Sequence, residues 1–155
     1  MGRWEKFRRL SSEERDLLIR ALFLLPLTAA ALRLLGFRRS QAALARLAGA
    51  PTPFGDARAK SLLENAQLAA RMVRAASENG FRRASCLEQS LVLQWLLSRQ
   101  GIPAQLRIGV RKQQQHFEAH AWVESGGAVL NDGDDAHRHY APFDGSIAAA
   151  EAQPR

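Results

Sequence analysis

The hydrophobic pattern of this chain changes period once, at Gly101-Ile102-Pro103. Upstream, apolar residues recur at helical spacing. Downstream, Leu106, Ile108 and Val110 alternate with Gln105, Arg107 and Gly109, which is the period of a strand. Helices first and strands afterwards is an α+β pattern. The helical half has its own punctuation. Ser11 with Glu14 three positions on is a capping box, and the apolar pattern runs from Leu17 to Leu35 and stops at Gly36. Pro26 lies inside that run and is expected to kink or divide it, since proline lacks the amide hydrogen and crowds the preceding turn. A second segment covers Ser40 to Ala48, Gly49 to Gly55 is a breaker, and Asp56 caps a third helix through about Ser77, with Asn79-Gly80 as its stop. Ser85 with Glu88 is another capping box, which makes Cys86 the first residue of a helix that stops at Gly101. Lys112 to Gln115 reads as a polar loop, Phe117 to Glu124 as a second strand and Ala128 to Asp132 as a third.

The chain has 155 residues, 46% of them apolar, enough for one domain with a core. It holds one cysteine, so no internal disulfide forms; this points to a reducing compartment or to indifference about redox, and a cytoplasmic setting is expected. The first residues show no secretory signal pattern. The longest uncharged apolar run, between Arg20 and Arg33, is short for a bilayer and holds Pro26, so it reads as a buried or partner-facing helix, with membrane-surface attachment the lesser alternative, rather than a transmembrane segment. The net charge of +7 is uneven: residues 1–40 carry nine basic and four acidic side chains, residues 125–155 two and five. The basic residues are scattered among Leu and Ala without a nucleic-acid motif, which reads as a solvated helix face and not as a nucleic-acid surface.

Chemistry concentrates on three residues. Cys86 opens a helix, where unsatisfied amides and the positive end of the dipole favour a negative group, and the thiolate is the nucleophilic form of cysteine. The same amides offer donors to an oxyanion, with the Trp122 indole and the side chains of Gln89 or Gln94 as possible second donors. His120 shares a strand face with Glu118, Trp122 and Glu124, the more polar face, as suits a base at a cleft. Asp132 is the orienter. A three-residue loop, Ser125-Gly126-Gly127, would pair Glu124 with Ala128 and therefore His120 with Asp132 across the hairpin. A two-residue Gly126-Gly127 turn would put His120 and Asp132 on opposite faces. Each residue alone has a bland reading: a small buried hydrophobe, a surface histidine, a turn aspartate. His116 and His120 share a face and His137 and His139 lie two apart, but neither matches a zinc motif, so no metal and no cofactor is expected.

The series Ser85-Cys86-Leu87-Glu88-Gln89-Ser90-Leu91, Gly101-Ile102-Pro103-Ala104, Leu106 to Lys112, Phe117-Glu118-Ala119-His120-Ala121-Trp122-Val123-Glu124 and Val129-Leu130-Asn131-Asp132 resembles the transglutaminase-like, papain-related cysteine enzymes. Within them it is most similar to the leader peptidase of lasso peptide biosynthesis, the catalytic half of the lasso maturation protein B. The resemblance covers residues 82–133 and reaches the helical half only in general character. It implies a papain/transglutaminase-like core over 81–145, with a Cys-bearing helix on an antiparallel sheet. Before it comes a helical docking region, 1–80, and after it a frayed tail, 146–155. It implies a cysteine peptidase with Cys86 as nucleophile, His120 as base and acid and Asp132 as orienter, which removes the leader from a ribosomally made precursor peptide. The implied partners are that precursor, a separate leader-recognition protein (no winged-helix domain is legible in residues 1–80) and the ATP-using lasso cyclase. Leaders in this family carry a threonine near the cut, so a small apolar-and-hydroxyl pocket is expected. Two alternatives stay open: an acyl transferase of the same superfamily, in which an amine replaces water, and an inactive peptide-binding scaffold.

Overall fold

A computed structural model describes residues 7–48, 56–113, 116–132 and 136–142. The Gly49–Gly55 breaker, the tip of the Lys112–Gln115 loop and the 146–155 tail lie outside the described residues. The order is α1 (Ser12–Ala48), α2 (Asp56–Asn79), α3 (Cys86–Arg99), β1 (Gln105–Gln113), β2 (His116–Ser125), β3 (Ala128–Val129), a 3₁₀ turn (Ala136–His139) and β4 (Ala141–Pro142). The strands form one antiparallel sheet, ordered β3-β2-β1-β4. The fold is α+β.

Helix α1 begins at the expected capping box: Glu14 N–H donates to Ser11 Oγ (3.1 Å) and Ser11 N–H to Glu14 Oε2 (2.8 Å). It is broken at Gly36, whose φ of 76° is open to glycine at little cost. Pro26 does not divide it; the backbone stays helical through this position. The reason lies in the packing. Pro26 is on the exposed side, while Leu17, Ala21, Leu25 and Ala29 are buried on the opposite stripe and hold both halves in place. Ala66, Ala69, Ala70, Val73 and Ala76 of α2 are buried, and such small side chains allow close helix approach. Leu93, Leu96 and Leu97 of α3 join them, with Val123 from β2. The helical half and the sheet therefore share one hydrophobic cluster. By length and composition the stretch Ser12–Arg39 is also long and apolar enough to cross a bilayer.

Helix α3 ends in a Schellman motif. Gly101 adopts φ 69°, its N–H donates to Ser98 O (3.0 Å), and Ile102 N–H donates to Leu97 O (2.9 Å). Ile102 is itself buried in the core, which fixes where the chain turns into β1.

Strands β1 and β2 pair from Gln105↔Glu124 to Gln113↔His116. The ladder thus continues through Lys112 and Gln113, which the sequence places in a loop. A two-stranded ribbon end is solvated on both faces, so polar residues do not stop it. Gly126 and Gly127 adopt φ 57° and 79° and close a two-residue turn with Ser125↔Ala128 and Glu124↔Val129 paired. Positive φ at both central residues matches strand twist, and Gly-Gly permits it. The expected three-residue loop is not formed, and direct strand pairing of His120 with Asp132 is ruled out.

Candidate active site

The missing register is replaced by a side-chain device. β3 stops at Val129, although Leu130 N–H still donates to Val123 O (2.9 Å). Val123 N–H donates to the side chain of Asn131 (Oδ1, 2.8 Å), which takes the place of a strand carbonyl. The chain then leaves the sheet, and Asp132 no longer obeys strand alternation. Farther along the same edge, Ala121 O accepts from Ser90 Oγ of α3 (3.0 Å), and Asn131 Nδ2 donates to that same Ser90 Oγ (2.8 Å). Ser90 is fully buried. Helix α3 thereby covers the edge that β3 leaves bare. Cys86 lies one turn before Ser90 on the same helix face, and His120 immediately precedes Ala121.

Asp132 meets His120 by this route: His120 Nε2 lies 3.3 Å from Asp132 Oδ1. The other oxygen, Oδ2, accepts from the backbone N–H of His137 (2.5 Å) and lies 2.7 Å from His137 Nδ1. The Asp132 side chain is 4% exposed. Burial pushes its carboxyl up, but the two His137 hydrogen bonds, with the charge and hydrogen bond of His120, outweigh it and hold the carboxyl below its ordinary value. The His120 ring stacks against Trp122 (5.9 Å between centroids) and leans on Tyr140 (5.2 Å). Burial raises the Tyr140 phenol. Arg111 over its ring opposes the rise, and Glu118 adds to it. The structure joins His120 to Asp132 by a hydrogen bond and draws none between Cys86 and His120; His120 Nδ1 has no partner among the described residues. Such bonds are often long before substrate binds.

The start of α3 is held firmly. Ser85 N–H donates to Glu88 Oε2 (2.9 Å), Glu88 N–H to Ser85 Oγ (3.3 Å), and Arg82 Nη2 pairs with Glu88 Oε1 (2.5 Å). Gln89 N–H closes the first helical bond to Ser85 O. The N–H groups of Cys86 and Leu87 remain for an oxyanion among the described residues. Two of the side chains considered as a second donor are engaged elsewhere: Trp122 Nε1 donates to Glu124 Oε1 (2.9 Å) and Gln89 Nε2 to Ala84 O (2.9 Å). Gln94 lies about two turns along the helix, roughly 12 Å from Cys86 at 1.5 Å per residue. The Trp122 bond, with the Arg107 ion pair, holds the Glu124 carboxyl low against its partial burial.

A groove of about 620 Å³ opens between α1 and the α2–α3 connection. Ile19, Phe23 and Pro26 line one wall, Phe81, Arg82 and Ala84 the other. Ala84 is two residues from Cys86.

A sequence profile of the transglutaminase-like superfamily matches residues 22–143, most of the chain and all of this site. The chain belongs to that superfamily. This superfamily member is also similar to the microcin J25-processing protein McjB of Escherichia coli, at 46% identity over 50 residues. That segment is 32% of this chain and 23% of McjB, so the match spans about a quarter of the relative. No solved structure matches. No sequence pattern singles out Ser90 or Asn131 as part of this superfamily member's site. Asn131 and Ser90 act through one buried hydrogen-bond chain that joins residues 41 positions apart, and no local pattern marks it. His137 carried a weak signal, a histidine five residues after a candidate aspartate, which the metal reading absorbed.

Proposed function

We propose that the chain is a cysteine peptidase that removes the leader from a ribosomally made lasso peptide precursor. The observation that carries this reading is the buried Asp132 carboxylate against His120 Nε2, beside a helix that opens with the chain's lone cysteine. The McjB similarity supports the pathway. In the mechanism Cys86 passes its thiol proton to His120 Nδ1, and the thiolate attacks the carbonyl of the last leader residue. The S–C bond forms, and the oxyanion is met by amides at the start of α3. His120 gives its proton to the leaving amine as the C–N bond breaks, which frees the amino group of the first core residue. His120 then takes a proton from water, water attacks the thioester, and Cys86 leaves as thiolate. Asp132, on Nε2, keeps Nδ1 turned to the thiol and stabilises the imidazolium.

The groove beside Ala84 is the proposed seat of an apolar segment of the precursor. A separate leader-recognition protein and the cyclase complete the proposed pathway, in the cytoplasm. The test is mass spectrometry of a precursor incubated with the protein and its recognition partner, for wild type and Cys86→Ala. A single cut at the leader–core boundary, lost in Cys86→Ala, is the expected result. A precursor left intact refutes the peptidase, and a product joined to an added amine favours acyl transfer. A cut that survives Cys86→Ala means the nucleophile is wrongly assigned.

A further inference from the structure

We propose that His137 is a positioning residue of this site: its ring N–H anchors the Asp132 carboxylate, which thereby fixes opposite tautomers in two histidines. The catalytic part of the proposal rests on the reading of Cys86, His120 and Asp132 given above; the tautomers do not.

The argument starts from the backbone. With β3 ended at Val129, the sheet ladder does not reach Asp132, so side-chain bonds must hold its carboxylate. On the Oδ1 side the contact to His120 Nε2 is long, 3.3 Å. On the Oδ2 side His137 supplies two donors, its backbone N–H at 2.5 Å and ring Nδ1 at 2.7 Å. The firmer hold is therefore on the side away from His120. His137 is itself fixed: its side chain is 20% exposed and its ring lies 5.9 Å from that of Trp122, which also stacks on His120. Two histidines thus bracket one carboxylate, with Trp122 against both rings.

An ionised carboxylate only accepts hydrogen bonds, so each imidazole nitrogen facing it carries a proton. Neutral His137 is then the Nδ1–H tautomer and neutral His120 the Nε2–H tautomer. For His120 this leaves the Nδ1 lone pair for the thiol proton. For His137 it imposes a tautomer that no hydrogen bond of its own backbone explains. Without the His137 ring the carboxylate keeps the backbone N–H but loses its ring anchor. It is then free to rotate away from His120, which reduces turnover and leaves substrate binding alone.

The experiment pairs a spectroscopic readout with kinetics on the full chain. In two-bond ¹⁵N–¹H spectra of labelled protein, His137 is expected as Nδ1–H and His120 as Nε2–H. In precursor cleavage, His137→Phe keeps a flat ring without the donor and is expected to lower kcat roughly 100-fold with KM unchanged, the scale of a misplacement of about 1 Å near the chemistry. His137→Asn puts an amide nitrogen as many bonds from Cα as Nδ1 and is expected to restore most of the rate. An Nε2–H tautomer at His137 overturns the proposal. So does a His137→Phe enzyme as fast as wild type while Asp132→Ala is slow. If His137→Phe does not fold, the wild-type tautomer and the His137→Asn rate decide. Cleavage that is indifferent to Cys86→Ala would instead overturn the assignment of Cys86 as nucleophile and leave the tautomer result standing.

Discussion

Replacing Asn131 with alanine removes the side chain that stands in for a strand residue at the edge of β2. Two groups lose their partner. Val123 N–H, on a fully buried residue, loses its acceptor, and buried Ser90 Oγ loses the hydrogen bond from Asn131 Nδ2 while still donating to Ala121 O. A buried donor left without an acceptor costs about 1–3 kcal/mol, and loss of an ordinary hydrogen bond about 1 kcal/mol. Asn131→Ala should therefore destabilise by about 2–4 kcal/mol. For a chain of this size each kcal/mol lowers Tm by about 2–4 °C, which puts the fall near 4–16 °C. Ser90→Ala strips Ala121 O and Asn131 Nδ2 at once and should cost a similar amount.

The two effects are not independent, because one hydrogen bond is shared. The double variant should be less destabilised than the two singles together, by about 1 kcal/mol. Urea titrations of the four proteins give the coupling. Additive costs, or an Asn131→Ala protein within about 1 kcal/mol of wild type, would refute the reasoning that this pair closes the edge of β2. Cleavage adds a second readout: the network ties the strap carrying Asp132 to the helix carrying Cys86, so Asn131→Ala should lose kcat in protein that is still folded.

Glu88→Ala removes one arm of the capping box and the partner of Arg82; because Arg82 is 45% exposed, most of the expected loss of about 1 kcal/mol comes from the cap. A urea midpoint equal to wild type would show that the cap does not hold the start of α3. Gly109→Ala would set a Cβ 2.7 Å from Tyr140 Cβ and 2.9 Å from the Trp122 ring, and should cost about 1–3 kcal/mol with a change in tryptophan fluorescence; unaltered stability and fluorescence would mean that Tyr140 and Trp122 can move aside freely. Although burial opposes it, the hydrogen bonds from His137 and His120 hold folded Asp132 below the ordinary carboxylate value. Its contribution to stability is therefore complete above an unfolded pKa of about 4 and is lost as pH falls through the lower folded value. Asp132→Asn should flatten the decline in stability below about pH 4, measured by denaturant titration, and an unchanged acid slope would assign that decline to other carboxylates.

The helical half was legible because its signals are local: Ser11 with Glu14 and Ser85 with Glu88 are capping boxes in sequence and in space. Gly36 and Gly101 end helices where positive φ is needed. Pro26 does not divide the helix because its local cost is set against packing contributed by α2 and α3, which no window around residue 26 contains. The polar residues at 112–113 were misread for a related reason, since a loop-like composition also suits a solvated ribbon end. His120 and Asp132 were legible as a pair, but the inferred route between them was not. The alternation rule is sound for strands, and it failed here because residues 130–132 are not strand.

That failure bears on how the site is built. Had β3 continued to Asp132 in the observed two-residue register, the aspartate would have faced away from His120, and the edge of β2 would have been filled by backbone. Stopping β3 at Val129 does two things at once. It frees Asp132 to turn under His120, and it opens the stretch of β2 edge at Ala121 against which Ser90 docks α3. Asn131 makes the early stop tolerable, because one side-chain amide satisfies the strand N–H and donates to the helix hydroxyl. The docking of the Cys86-bearing helix on the β2 edge and the contact of Asp132 with His120 thus have a common origin in two consecutive residues, Asn131 and Asp132. One holds the helix to the sheet and the other holds the imidazole. A one-residue insertion between them would leave the edge network intact and move the carboxylate off His120, which separates folding from activity at a single peptide bond.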